Sequence, residues 1–251
     1  MKGLSLFFLT LLIWNMQSFG ADFKISLSES PQSLDPHRSR SSSGSFLLQQ
    51  LYRNFYVYND QKGFVPELGE ACKKETLKWT CTLKPNLQWS NGLPLTADDF
   101  VLSYRRILTL PSPRANLLFG IKNAQAVFDQ KKDPAELGVK ALDNRTFEIH
   151  WTKNLPDNEM VLMSPLFVPL PQGNYQKGVF SGPYQLSDQN NQRLLLSSNY
   201  LYFKKNNRPA VEFQVFEENL AVKAFEKKQL DFLRRIPTAQ IPTNKSKEGF
   251  Y

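Results

Sequence analysis

Two histidines, two cysteines and an adjacent pair of aspartates are the side chains in this 251-residue sequence whose types first invite a chemical reading. Asp98-Asp99 could serve acid–base chemistry, which needs two carboxylates whose environments push their pKa values apart. The pair, however, follows Thr96-Ala97 and opens a run in which Phe100, Val101, Tyr104, Ile107 and Leu108 recur at helical spacing. Both carboxylates therefore fall in the first turn of a helix, where negative charge complements the helix dipole. Thr96 and Asp99 have the spacing of a capping box, and Leu95 and Phe100 that of the staple around it. Capping accounts for both aspartates, and catalysis is not expected of them.

The histidines stand apart. His37 ends Leu34-Asp35-Pro36-His37, and His150 lies in an alternating run; neither has the partners of a metal or proton-transfer pattern. Ser181-Gly182-Pro183-Tyr184 places a hydroxyl beside flexible residues, yet Gly-Pro before a strand is turn chemistry, and no Gly-x-Ser-x-Gly elbow occurs. Cys72 and Cys81 lie on what reads as a hairpin, with Leu77, Trp79, Cys81 and Leu83 alternating onto one face. A bridge across it would contribute about 2–3 kcal/mol in the chain-entropy view; two adjacent buried thiols are the alternative. Two cysteines without a nearby histidine cannot fill a tetrahedral metal site.

These groups need elements to hold them. Residues 23–27 alternate like a first strand, residues 41–44 read as a flexible polar break, and a helix is expected over residues 45–55. Asn91-Gly92 supplies a turn before the capped helix, which should stop ahead of Pro111. Strands are expected at residues 146–151, 184–186, 193–197 and 211–216, and a helix at 220–228. Pro165, Pro169 and Pro171 mark a crossing segment, not a helix.

Residues 1–20 have the composition of a cleavable secretory signal: Lys2, an apolar stretch over residues 4–14, then Ser18-Phe19-Gly20. No cysteine follows the cleavage point, so lipoprotein-type anchoring is not expected, and the mature chain is expected in the periplasm. An exported setting favours the Cys72–Cys81 disulfide. The formal charge of +8 becomes +7 when Lys2 leaves. Basic pairs such as Lys131-Lys132, Lys204-Lys205 and Arg234-Arg235 are scattered among acidic residues, the pattern of a solvated basic surface and not of a nucleic-acid site.

The run from Trp89 to Arg106 resembles the solute-binding proteins, family 5, of peptide and nickel ABC importers, in which Trp-Ser-Asp-Gly leads into Pro-x-Thr-Ala-x-Asp-Phe and a helix ending in an Arg pair. Further matches follow in family order: Ser33-Leu34-Asp35-Pro36-His37, Pro66-Glu67-Leu68-Gly69-Glu70, Leu137-Gly138-Val139-Lys140-Ala141 ahead of Asp143, Ser181-Gly182-Pro183-Tyr184-Gln185-Leu186 and Gln229-Leu230-Asp231. Phe180 stands where the family usually carries a further glycine.

The resemblance implies a mixed α/β fold of the class II periplasmic-binding-protein type, incomplete because the C-terminal lobe is lacking. It divides the chain into a signal peptide at 1–20, a discontinuous lobe I at 21–50 and 167–251, and an inserted lobe II at 51–166. It implies capture of a peptide backbone as an added strand, with lobe I contacts at Ser42, Ser43, Gly44 and Ser45 and an aromatic contact at Phe119 from lobe II. The acidic residue that some peptide binders carry near the serines is absent. Implied partners are a peptide ligand, the membrane permease of an ABC importer and a separately encoded C-terminal half. No enzyme activity and no cofactor are expected. The alternative reading is a stand-alone exported interaction module that no longer captures ligand. Intact mass of exported material, with and without reductant, should show a chain starting at or near Ala21 and one bridge between Cys72 and Cys81; a full-length product with two alkylatable thiols would contradict both expectations.

Overall fold

The computed structural model describes residues 22–112, 114–155, 158–204 and 208–238. The expected signal segment and the last thirteen residues lie outside them. In chain order the elements are β1 (Phe23–Leu27), α1 (Ser42–Leu51), β2 (Tyr56–Asn59), β3 (Gly63–Pro66), β4 (Gly69–Lys74), β5 (Lys78–Leu83), α2 (Ala97–Thr109), α3 (Ala124–Phe128), β6 (Val139–Ala141), β7 (Thr146–His150), α4 (Asn158–Val161), β8 (Tyr184–Gln189), β9 (Arg193–Ser198), β10 (Val211–Val215) and α5 (Glu218–Glu226). The chain is mixed α/β, as expected.

Two four-stranded sheets carry the architecture. The first has the order β1-β10-β9-β8 and is antiparallel except for the parallel pair β1 and β10, in which Ile25 faces Phe213. A parallel bridge between Ile25 and Phe232 adds a rung on the free side of β1. The second sheet, β4-β5-β7-β6, is antiparallel throughout and drawn from the middle of the chain. On β5, Trp79, Cys81 and Leu83 are buried as the alternation predicts, and Cys81 stands directly opposite Cys72, to which it is disulfide-bonded. Leu77 departs from that pattern. The Glu75 N–H bonds the Lys78 carbonyl and closes the turn before the strand begins, so Leu77 sits in the turn, 45% exposed.

α1 starts earlier and ends earlier than expected. Ser41 is its N-cap, with Oγ accepting the Gly44 N–H at 2.9 Å, so the serine run forms a helical turn and not a flexible break. The helix ends at Leu51 because the chain must turn past a neighbouring strand entry. Gly182 donates to the Leu51 carbonyl at 2.8 Å, and the Arg53 N–H donates to Ser181 Oγ at 3.1 Å. A Cβ on Gly182 would lie 2.6 Å from the Gln50 carbonyl oxygen, so this approach requires glycine. The expected helix over 220–228 runs two residues earlier, and the proline-rich crossing forms a tight turn at Pro171–Gly173. Asn54 organises that crossing: its buried amide reaches the carbonyls of Val161, Ser164 and Phe167.

α2 covers the second sheet. Phe100, Val101, Tyr104, Ile107 and Leu108 are all buried, and the Phe100 ring stacks on Phe147 of β7 at 5.1 Å. Of the two aspartates, Asp98 is exposed while Asp99 is 4% exposed and saturated with donors. Its carboxylate accepts from the Thr96 N–H at 2.8 Å, the Gln172 N–H at 2.7 Å and Trp89 Nε1 at 3.1 Å. One side chain therefore ties the turn before α2, the first helical turn and the Pro171 crossing together. Asp99→Ala should cost about 3 kcal/mol, because three donors, the buried Trp89 indole among them, lose their acceptor. Thr96→Ala should cost about 1 kcal/mol, and Asp98→Asn less than about 0.5 kcal/mol. Urea unfolding of the three variants checks the order.

Candidate functional site

The fold creates one constellation with the residue types of a hydrolase. Ser103 Oγ on α2 lies 3.3 Å from His37 Nε2, and Asp35 is two residues before the histidine. Its geometry is wrong for catalysis. Arg106, not Asp35, meets the other ring nitrogen, with Nη1 at 2.7 Å from Nδ1. Asp35 instead takes the Arg106 guanidinium at 3.1 and 2.7 Å. Because Arg106 has only donors, Nδ1 must accept, Nε2 carries the proton and Ser103 receives it. Ser103 in turn donates to the Val168 carbonyl at 2.6 Å. The hydroxyl proton is thus committed away from the imidazole, and the base has no free lone pair to take it.

The same network fixes the charge state of His37. Burial first, and the Arg106 guanidinium second, press its pKa from 6.5 down to about 3 against the pull of Asp35. The group is neutral, 2% exposed and structural. It joins the loop before α1 to α2 and to the crossing segment. The sequence did not signal this pairing, since His37 and Ser103 are remote along the chain and belong to no common motif.

The open candidate is the edge where the parallel strands end. β1 and β10 point their carboxyl ends the same way, and α1 and α5 begin beside them, which is where open α/β sheets place ligands. Phe46 of α1 packs edge-on to Phe213 of β10 at 6.0 Å, so the α1 turn is anchored against the sheet. The expected contact residues sit here. Ser43 and Gly44 are buried, Ser45 is half-buried and Ser42 is exposed. Gly44 leaves no room for a Cβ, which would come 2.5 Å from Ser39 Oγ.

An arginine pair that sequence reading treated as ordinary surface charge completes this edge. Arg234 donates to the Ser42 carbonyl at 2.8 Å and to Ser43 Oγ at 3.2 Å, with its guanidinium 4.8 Å over the Phe46 ring. Arg235 donates to Ser42 Oγ at 3.1 Å. The pair is delivered by the bridge at Phe232 and by the Arg234 N–H, which bonds Ser26 Oγ at 3.2 Å. Burial and the neighbouring Arg235 hold the Arg234 pKa below its usual value, opposed by Glu29. With Ser26, Ser28, Phe216 and Glu218 the pair lines a small, partly open pocket of about 10 Å³. Beside it opens a concavity of about 660 Å³ whose lining includes Ser28, Arg193, Glu212, Gln214, Phe216 and Leu220. The edge offers guanidinium and hydroxyl donors to a carbonyl or carboxylate, and no activated nucleophile.

Phe119 lies elsewhere. It closes the short turn Ala115–Leu118 and packs its half-buried ring on Phe128 of α3 at 5.5 Å. The described contacts do not bring it to the serines. Among the described residues no group of three or more His, Cys, Asp and Glu gathers to hold a metal, and no helix is long and apolar enough to cross a membrane.

Comparison with known proteins gives consistent matches. The family model of bacterial extracellular solute-binding proteins, family 5 Middle, matches residues 63–251. The periplasmic murein peptide-binding protein MppA of Escherichia coli is 29% identical over 231 residues, which cover 84% of this chain and 43% of that protein. The periplasmic oligopeptide-binding protein OppA of Haemophilus influenzae is 34% identical over 147 residues, 56% of this chain and 27% of that one. Among solved structures, Escherichia coli MppA superposes with a TM-score of 0.84 at 28% identity, covering 90% of this chain and 48% of its own. Haemophilus influenzae OppA in complex with RPPGFSPFR gives 0.82 at 29% identity, covering 89% and 48%. The chain spans less than half the length of each of these relatives.

The depressed pKa of His37 makes stability depend on pH with a definite sign. The unfolded chain binds a proton below about pH 6.5 that the folded chain refuses until about pH 3, so stability is complete above that window and falls as pH drops through it. The loss should approach about 1.4 kcal/mol per pH unit. Urea midpoints at pH 7.5 and 5.0 should differ accordingly, and His37→Gln should remove most of the difference. An undiminished difference in that variant would place the acid sensitivity in another group.

Proposed function

The chain belongs to the bacterial extracellular solute-binding proteins, family 5, and on that premise we propose that it is the extracytoplasmic solute-binding part of a peptide-type ABC importer. Oligopeptides are the ligand class we assign to it, exported periplasm its location, and the importer's membrane permease its partner. The observation that carries the reading is the edge formed by the ends of β1 and β10. There a helical turn of small residues and the Arg234–Arg235 donors stand in place to take main-chain carbonyls. Binding through the backbone gives affinity without regard to side-chain identity, as an oligopeptide carrier needs.

We assign residues 21–50 and 167–251 to one lobe and 51–166 to an inserted one. Support comes from the sheets, since the first is built only from strands before residue 28 and after residue 183, and the second only from strands between residues 69 and 150. We further propose that a third lobe, supplied as a separately encoded C-terminal half, completes the cleft. Leu220, Phe225 and Phe232 around α5 are 50%, 38% and 47% exposed, an apolar surface suited to such a companion. The second reading, a stand-alone exported module without ligand capture, has one observation in its favour: Arg234 and Arg235 already occupy Ser42 and Ser43.

Enclosure between lobes is what excludes water and lets backbone hydrogen bonds contribute affinity. One wall alone should bind weakly. Titrating a mixed di- to pentapeptide pool onto the isolated chain and following amide resonances should move Ser42, Ser43, Gly44, Ser45, Arg234 and Arg235, with a Kd weaker than about 100 μM. No shift at these residues at millimolar peptide would favour the stand-alone module. Micromolar or tighter binding would show that the cleft is already complete without a further lobe.

A further inference from the structure

We infer that Glu67 is a rivet that fixes the orientation of the second sheet relative to the first, so that the two sheets move as one body. Glu67 sits between β3 and β4 with 3% of its surface exposed, and no motif reading assigned it a role beyond its place in a family word. Its carboxylate gathers partners from widely separated stretches of chain. Tyr202 donates its hydroxyl to one carboxylate oxygen, and Lys204 places its ammonium on the other. Arg53, at the exit of α1, approaches to 3.4 Å. Lys84, just after β5, caps the same residue from the main-chain side by donating to the carbonyls of Glu67 and Pro66.

The partners belong to different bodies. Tyr202 and Lys204 lie on the loop leaving β9, which is tied to the first sheet by Asn199: its N–H bonds the Pro183 carbonyl at 2.9 Å, and its amide bonds the Gly182 carbonyl at 2.9 Å. Glu67 and Lys84 flank β4 and β5 of the second sheet. Phe203 lies between, with Lys84 at 4.7 Å and Lys204 at 5.4 Å from its ring centre, so the two lysines approach one aromatic ring from the two sides of the joint. Burial alone would raise the Glu67 carboxyl. Hydrogen bonds from Lys204 and Tyr202, with the charges of Lys204 and Arg53, carry it below the usual carboxylate range, so it remains ionised.

A buried charge with partners on both sides is a directional constraint that apolar packing does not supply. Each sheet keeps its own ladder whatever their mutual angle, and greasy side chains can slide and repack. A carboxylate at this depth cannot tolerate losing its partners without a large desolvation penalty. The angle at which Tyr202 and Lys204 still reach Glu67 is therefore the angle the molecule keeps. Rotation that opened the joint would strand the charge.

The test separates a rivet from an ordinary stabilising contact. Spin labels on cysteines introduced at Asn191, on the exposed β8–β9 turn, and at Lys131, exposed beyond α3, report the distance between the two bodies in the full chain. Glu67→Gln and Lys204→Met should each at least double the width of the distance distribution while far-ultraviolet circular dichroism stays at the parent level. In a double-mutant cycle the two substitutions should be coupled, the pair together costing at least tenfold less in the unfolding equilibrium constant than the sum of the singles. If Glu67→Gln does not fold, Tyr202→Phe and Lys204→Met carry the distance measurement, since both leave Arg53 on the carboxylate. Distributions as narrow as the parent's in variants with lowered thermal midpoints would overturn the inference and leave Glu67 a stabilising contact only.

Discussion

Parallel pairing of β1 with β10 is the constraint on which the remaining architecture depends. Phe23 and Val211 are partners in one ladder although most of the chain separates them. Parallel strands cannot be joined by a tight hairpin, so the intervening chain must leave and return. That excursion is used to build a second, wholly antiparallel sheet, whose outer pairs β4–β5 and β6–β7 are close in sequence and inexpensive to close, while its central pair β5–β7 brackets α2 and α3. The return delivers β8, β9 and β10 onto the first strand. Because the pair is parallel, both carboxyl ends and both following helices meet at one edge, and the candidate binding edge follows from the pairing itself.

Where the excursion leaves and re-enters, the backbone runs close to itself, and polar contacts fix it there beside the buried rings of Tyr52 and Phe180, whose centroids are 5.5 Å apart. Gly182 admits the strand entry against the end of α1, Ser181 takes the Arg53 N–H, and Asn54 takes three carbonyls of the crossing segment. Three buried carboxylates perform the same office at longer range. Asp99 holds the turn before α2 to the crossing, Asp35 holds Arg106 and the loop before α1, and Glu67 holds the loop after β9. Each accepts several donors, which is the condition for keeping a charge away from water. This use of charge is structural, and it explains why a serine, a histidine and an aspartate can lie together without forming a hydrolytic site.

Local signals in the sequence were legible wherever one stretch of chain decides its own conformation. The Asn91-Gly92 turn, the Thr96 and Asp99 cap, the buried stripe of α2 and its end before Pro111 are all present, because capping and amphipathic spacing act within a few residues. The facing cysteines were legible for the same reason. Leu77 and the start of α1 were misjudged where a hydrogen bond of the turn or cap outweighed the hydrophobic pattern. A run of serines looks like a break by composition, yet Ser41 bonding the Gly44 N–H makes it the first turn of a helix.

The amino-acid sequence by itself determined the class of fold and the family, because family words and helix caps are written in contiguous residues whose physics is short-ranged. Tertiary structure alone decided which remote side chains meet. Arg234 and Arg235 read as scattered surface charge until the rung at Phe232 lays them on Ser42 and Ser43. Ser103 and His37 acquire a relationship only when α2 packs beside the loop before α1. Glu67 is one acid among many until the loop after β9 folds over it. Such encounters depend on the path of the whole chain, and no local spacing records them.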